Sequence, residues 1–243
     1  MKLQHSIASL AEGLKDALAP SRCISCLAEG TWYCSACRAL PSPHVLHCIG
    51  CKTEHPRGKT CRACREEIPL TGFISARSYS NQAIQRGIEW LKFKGVRPIS
   101  EILGGLLIPG LTVIAPLPDL AMRAVLVPIP LHTSRQRARG FNQSEDIAHA
   151  LSSITSIPVA RILTKPHATA SQARLPHTLR QENIEHAFSL HISEQAYTVL
   201  TNERPYIILV DDVSTTGATI ISAAHTFPAL PRVQLWGAAV ARG

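Results

Sequence analysis

Beyond Cys64 this 243-residue chain contains no cysteine, which argues against a secreted scaffold held by disulfides along its length. Gly58-Lys59-Thr60 lacks the glycine five positions earlier (Thr53 stands there) and no Gly-x-Gly-x-x-Gly run occurs, so the Walker loop and the dinucleotide-binding turn are both excluded. Aromatic residues are scarce, at 5% against 45% apolar residues in all, and Ala, Ile and Leu dominate as in an α/β core. The longest apolar stretch, 102–117, is broken by Pro109, Pro116 and three glycines and makes a poor membrane span. The first twenty residues carry Glu12, Lys15 and Asp16 and lack the continuous apolar segment of a secretory leader. Ile7, Leu10, Leu14 and Leu18 fall instead on one face of an amphipathic helix, read as residues 1–22. A cytoplasmic protein is expected.

What is present is concentrated in two places. The first is the run Tyr206-Ile207-Ile208-Leu209-Val210-Asp211-Asp212-Val213-Ser214-Thr215-Thr216-Gly217-Ala218-Thr219. Residues 207–210 read as a strand buried on both faces, and 218–227 as a helix with Ile220, Ile221 and Ala224 at helical spacing. A loop between strand end and helix start offers backbone N–H groups and the positive end of the helix dipole to an anion. Gly217 permits close backbone approach, and Thr215, Thr216 and Thr219 add hydroxyl donors. Asp211 and Asp212 suit a vicinal diol, since each carboxylate accepts hydrogen bonds from hydroxyls. An N-capped helix after a buried strand would need one Asp, not two beside three threonines and a glycine. Phosphate and diol in one loop describe a ribose 5-phosphate site.

The second is residues 23–64, where the eight cysteines form four C-x-x-C pairs: Cys23/Cys26, Cys34/Cys37, Cys48/Cys51 and Cys61/Cys64. Two such knuckles complete a tetrahedral zinc site, and a single redox pair would not recur four times. Sequential pairing is the simplest arrangement, although an interleaved one would have the same sequence. His44, His47 and His55 are left out because eight thiolates already satisfy two ions. Residues 1–65 carry nine Lys and Arg against four Asp and Glu, part of a formal net charge of +8. Eight thiolates on two zinc ions would leave the segment at about +1 and the chain at about +4, so charge alone does not establish DNA binding. Lys52, Arg57, Lys59, Arg62 and Arg65 form a basic face on the second ribbon, equally consistent with phosphate contact and with plain solvation.

The rest alternates strand and helix. A strand is expected at 73–79, a helix through Ala83, Ile84, Ile88 and Leu91, and a second helix at 99–108 stopping at Pro109-Gly110. A strand at 124–129 leads into Arg135, Arg137 and Arg139, whose planar forks in a loop suit a diphosphate. Asn142 with Glu145 marks the start of a helix carrying Ile147, Ala148 and Leu151. Residues 164–188, polar and rich in His, Arg and Gln, read as a long mobile loop of the active-site lid type, and 233–240 as a last strand. The pattern predicts a mainly parallel sheet flanked by helices.

The aspartate loop resembles the phosphoribosyl-diphosphate (PRPP) loop of type I phosphoribosyltransferases. The order of motifs is similar to that of the ComF/GntX family of competence proteins over nearly the whole chain after residue 22. These motifs are the C-x-x-C pairs, Leu91-Lys92-Phe93, Val127-Pro128-Ile129-Pro130, and Arg135-x-Arg137-x-Arg139-Gly140-Phe141-Asn142-Gln143. Thr169-x-x-Gln172, Arg180-x-x-Asn183, Ala187-Phe188 and the aspartate loop complete the series. The resemblance implies a double zinc ribbon (23–66) fused to a type I phosphoribosyltransferase-like α/β domain (67–243), and a role in handling imported DNA. PRPP would bind with magnesium: Asp211 and Asp212 on the ribose hydroxyls, Ser214, Thr215, Thr216, Gly217, Ala218 and Thr219 on the 5′-phosphate. Arg135, Arg137 and Arg139 would face the diphosphate, with Lys165, Gln172 and Arg180 on the closing loop. Implied partners are PRPP, single-stranded DNA and DNA-uptake proteins. Two alternatives stand beside a DNA-linked PRPP binder: an active transferase making a nucleotide or phosphoribosylamine, and a non-catalytic PRPP-sensing adaptor. Lys52 stands where relatives commonly have glycine, and Ser214 where they are often apolar.

Overall fold

Strands rich in Ile, Leu, Val and Ala need cover on both faces, and the chain supplies it with helices. The computed structural model describes residues 20–39, 46–166, 187–193, 197, 200, 203–228 and 232–243. In it β1 (Gly72–Ser78), β2 (Ala124–Pro128), β5 (Tyr206–Ser214) and β6 (Gln234–Arg242) form one parallel sheet in the order β1-β6-β5-β2. A separate antiparallel pair, β3 (Leu163–Thr164) with β4 (Ser189–Leu190), joins the two ends of the segment expected to be a lid. Residues 167–186, with Gln172 and Arg180, lie outside the described residues, as do 1–19 of the helix expected at 1–22, whose last three residues are not helical: Arg22 pairs with Glu29 in an antiparallel bridge.

Alternation along β5 splits the interior into two cores. Ile208 and Val210 join Leu126, Trp236 and Val240 on one face, while Ile207 and Leu209 join Phe73, Val125 and Leu235 on the other. The first core is covered by α2 (Gln82–Lys94), α3 (Ile99–Gly105), α4 (Ile108–Ile114), α5 (Leu117–Arg123) and α7 (Gln143–Thr155). The second is covered by α8 (Ala218–His225). Two further short helices are α1 (Ser35–Arg38) and α6 (Thr133–Arg139). Among the described residues no single helix is long and apolar enough to cross a membrane.

Two expectations change. Pro109-Gly110 does not end a helix; Pro109 lies in the first turn of α4, where its missing N–H would have had no intrahelical partner. The arginines expected in a loop lie on α6, which Gly140 ends in the left-handed conformation (φ +83°).

The ribbons attach in a repeated manner. Ile24 follows Cys23 and is buried in the first core, and Ile49 follows Cys48 and is buried in the second. The two ribbons thus anchor to opposite faces of the sheet. An arginine fastens each knuckle: Arg86 donates to the carbonyls of Ile24 and Ser25, and Arg242 to those of Cys48 (3.1 Å) and Ile49 (3.2 Å).

Candidate functional site

The cysteines gather as two groups, Cys23, Cys26, Cys34 and Cys37 in one and Cys48, Cys51, Cys61 and Cys64 in the other. The sulfurs of each group lie within 4.8 Å of one another. Four sulfurs at zinc–thiolate bond length on a tetrahedron stand about 3.8 Å apart. Cys23–Cys34 is 3.8 Å, and Cys26–Cys34 and Cys51–Cys61 are each 3.7 Å. Backbone N–H groups of Cys34 and Cys61 donate to Cys23 Sγ (3.5 Å) and Cys48 Sγ (3.4 Å), the outer-shell bonds that orient a metal-bound thiolate. Hydrogen bonding with Thr53 lowers Cys51 to about 6, whereas Cys64, beside Cys61, is pushed up to about 12. Crowded thiols cannot all ionise without a cation between them, and either group fits one zinc ion in charge, ligand type and spacing. Leu27 (φ +66°) and Lys52 (φ +60°), each next after the second cysteine of a knuckle, hold the left-handed turn that glycine would fill.

The carboxylate pair ends up almost fully buried, Asp211 at 7% exposure and Asp212 at 4%, near the C-terminal end of β5. Asp211 Oδ1 accepts from Ser144 Oγ (2.9 Å) and from the backbone N–H of Asp212 (2.9 Å). Burial, with the neighbouring Asp212 charge, raises the Asp211 pKa to about 8. Asp212 Oδ2 forms an ion pair with Lys92 Nζ from the last turn of α2, yet among the described residues it takes no hydrogen bond of ordinary geometry.

A cavity of about 240 Å³ opens over this pair. Its walls carry Lys92, Arg135, Arg139 and Lys165 against only the two aspartates, with Ser144 and Thr219 alongside. Arg139 donates to Gln143 at the start of α7, and burial lowers the pKa of Arg139 and of Lys165. Asn142 places this corner twice over: Oδ1 accepts from Ser144 N (3.1 Å), and Nδ2 donates to the carbonyl of Ile129 (3.0 Å).

Of the residues singled out from sequence, Asp211, Asp212, Thr219, Arg135, Arg139 and Lys165 meet at this cavity. Arg137 does not; on a helix it points away from the side shared by Arg135 and Arg139, and it is exposed. Ser214 is buried at the end of β5, where its carbonyl accepts from Gly243 N (3.1 Å). Thr215 and Thr216 form the exposed bend, and Thr216 Oγ1 accepts from Ala218 N (3.3 Å). Gly217 (φ +85°) caps α8, whose first residue is Ala218. Lys92 and Ser144 were given no role from sequence. Lys92 stood only within Leu91-Lys92-Phe93, and nothing local says that α2 ends over β5.

Fold and site together define a parallel α/β protein with two four-cysteine ribbons and an acidic pair in an otherwise cationic cavity. No protein-family model matches the chain. Among curated proteins, "Competence protein F" of Haemophilus influenzae is 29% identical over 212 residues, covering 85% of this chain and 84% of that protein. "DNA utilization protein YhgH" of Salmonella typhimurium is 28% identical over 229 residues, 89% of this chain and 96% of the relative. The Escherichia coli K12 protein of that name is 27% identical over 226 residues, with the same two coverages of 89% and 96%. These likenesses, with the motif order, support assignment of the chain to the ComF family.

Proposed function

We propose that the chain is a PRPP-binding, phosphoribosyltransferase-like protein of the ComF family that serves the handling of imported DNA. Its zinc ribbons would span 23–66 and its α/β domain 67–243. The observation that carries the reading is the buried pair Asp211/Asp212, with Asp212 Oδ2 held among the described residues by the Lys92 ammonium alone, in a cavity whose other charged groups are cations. Asp212 Oδ2, with a lone pair left beside its Lys92 ion pair, would accept from one ribose hydroxyl, and Asp211 extends the acceptor set for a ribose diol. The exposed bend at Thr215-Thr216 and the N-terminus of α8, with Thr219, would hold the 5′-phosphate. Arg135, Arg139, Lys165 and Lys92 would neutralise the diphosphate, while magnesium, bound with PRPP, would supply the bridging charge on its oxygens. Zinc would hold each four-cysteine group. The DNA role follows the names of the relatives, one a competence protein and the others DNA utilization proteins.

The test is calorimetry of PRPP with and without magnesium, comparing the native chain with the Asp211→Asn/Asp212→Asn double variant. Magnesium-dependent binding that the double variant weakens by at least tenfold is expected. Equal affinity in the two proteins would remove the diol assignment.

A further inference from the structure

Four large apolar side chains are exposed among the described residues, and Phe93 is both the most exposed, at 76%, and the one aromatic ring among them. It follows Lys92 on the last turn of α2, beside the cavity wall. Arg139, itself part of that wall, stands over the ring with its guanidinium carbon 5.7 Å from the centroid. The contact fixes the ring's attitude and, at this exposure, leaves it open to solvent. Three other aromatic residues are engaged elsewhere. Trp32 meets Trp90 edge-on at 6.1 Å, Tyr33 donates to the carbonyl of Cys37 (3.2 Å), and Phe141 lies under Arg97.

An exposed ring held among cations fits a planar, anionic ligand. A free base would gain little from a platform open on one side, whereas a strand needs only one face for stacking and cations for its phosphates. Lys94, exposed and off the cavity wall, lies with Nζ 5.1 Å from the Trp90 ring centroid and supplies charge outside the cavity. We propose that Phe93 is the stacking platform for a nucleobase of single-stranded nucleic acid, next to the phosphoribosyl cavity. This deepens the DNA part of the proposed function. Because Arg139 serves both the ring and the cavity, a ligand in one place alters the other.

The experiment is fluorescence anisotropy of a labelled oligo(dT) over a salt series with full-length native, Phe93→Leu, Phe93→Trp, Lys94→Ala and Met122→Leu proteins, together with PRPP calorimetry on each. Phe93→Leu is expected to weaken oligonucleotide binding about tenfold with an unchanged salt slope, because stacking releases no counterions. Lys94→Ala should make that slope shallower. Phe93→Trp should bind as native, with its added tryptophan quenched by the oligonucleotide, and Met122→Leu should be neutral. Native-like binding by Phe93→Leu, or no affinity of the native chain for oligo(dT) at low salt, overturns the proposal. So does thymidine quenching Phe93→Trp as tightly as the oligonucleotide, which would make the platform a small-molecule site. Loss of PRPP binding in the native chain would overturn the cavity assignment and leave the stacking result standing.

Discussion

Ile49 of the second ribbon rests on Gly217 of the aspartate loop so closely that a β-carbon there would lie 2.7 Å from Ile49 Cγ1. The same knuckle is fastened to the end of the sheet by Arg242, and Lys52 Nζ donates to the carbonyl of Gly243 (3.3 Å). Gly243 in turn bonds Ser214, so the second ribbon reaches the loop along two routes. The first ribbon reaches neither; Ile24 approaches Gly87 on α2 instead.

Gly217→Ala is expected to combine left-handed strain with this steric conflict, costing about 2–3 kcal/mol of stability and at least tenfold in PRPP affinity. Thermal melts and calorimetry check it. Adding Ile49→Ala should restore part of the loss despite the cavity it creates, because the clash is shared between the two residues.

Metal analysis should find two zinc ions per native chain and one in each of Cys34→Ser and Cys61→Ser. Both variants should melt earlier. Only Cys61→Ser should also weaken PRPP binding several-fold, since only the second knuckle supports the loop. Equal effects of the two variants on PRPP would contradict that coupling.

Asp211 is raised from 3.8 to about 8, so between those values the native state holds a proton that the unfolded chain has released. Its contribution to stability therefore falls as pH rises from about 4 to about 8. Melting temperatures of native and Asp211→Asn proteins should diverge over that window, with the variant gaining relative to native toward alkaline pH. Parallel curves would show that the carboxyl titrates normally.

Arg139→Ala is expected to weaken PRPP binding by at least tenfold, having lost about 1.5–3 kcal/mol of charged contact, whereas Arg137→Ala should leave it within twofold. The three arginines looked equivalent as alternate positions in a loop. On α6 residues 135 and 139 share a face and 137 does not.

The buried strands, the strand-to-helix turn after the aspartates, the Asn142 cap and the grouping of cysteines were legible because each rests on local spacing, although β5 runs on through Asp211 and Asp212 to Ser214, past the end expected at Val210. What escaped depended on distant pairing. Lys92 reaches Asp212 only because α2 ends over β5, and Phe93 is exposed although it adjoins an apolar helical face. Ile24 and Ile49 read as ordinary residues inside knuckles until the sheet brings a core to each. The short helices α4 to α6 went unseen or misplaced because Pro and Gly at their ends read equally as breaks.

The reading of Asp211 and Asp212 as a diol site is tested most directly by comparing ribose 5-phosphate with 2-deoxyribose 5-phosphate in native and Asp212→Asn proteins. The native chain should prefer the ribose form by about tenfold or more, the worth of one hydrogen bond to a carboxylate, and the variant should lose most of that preference. Equal affinity of the native protein for the two sugars would contradict it.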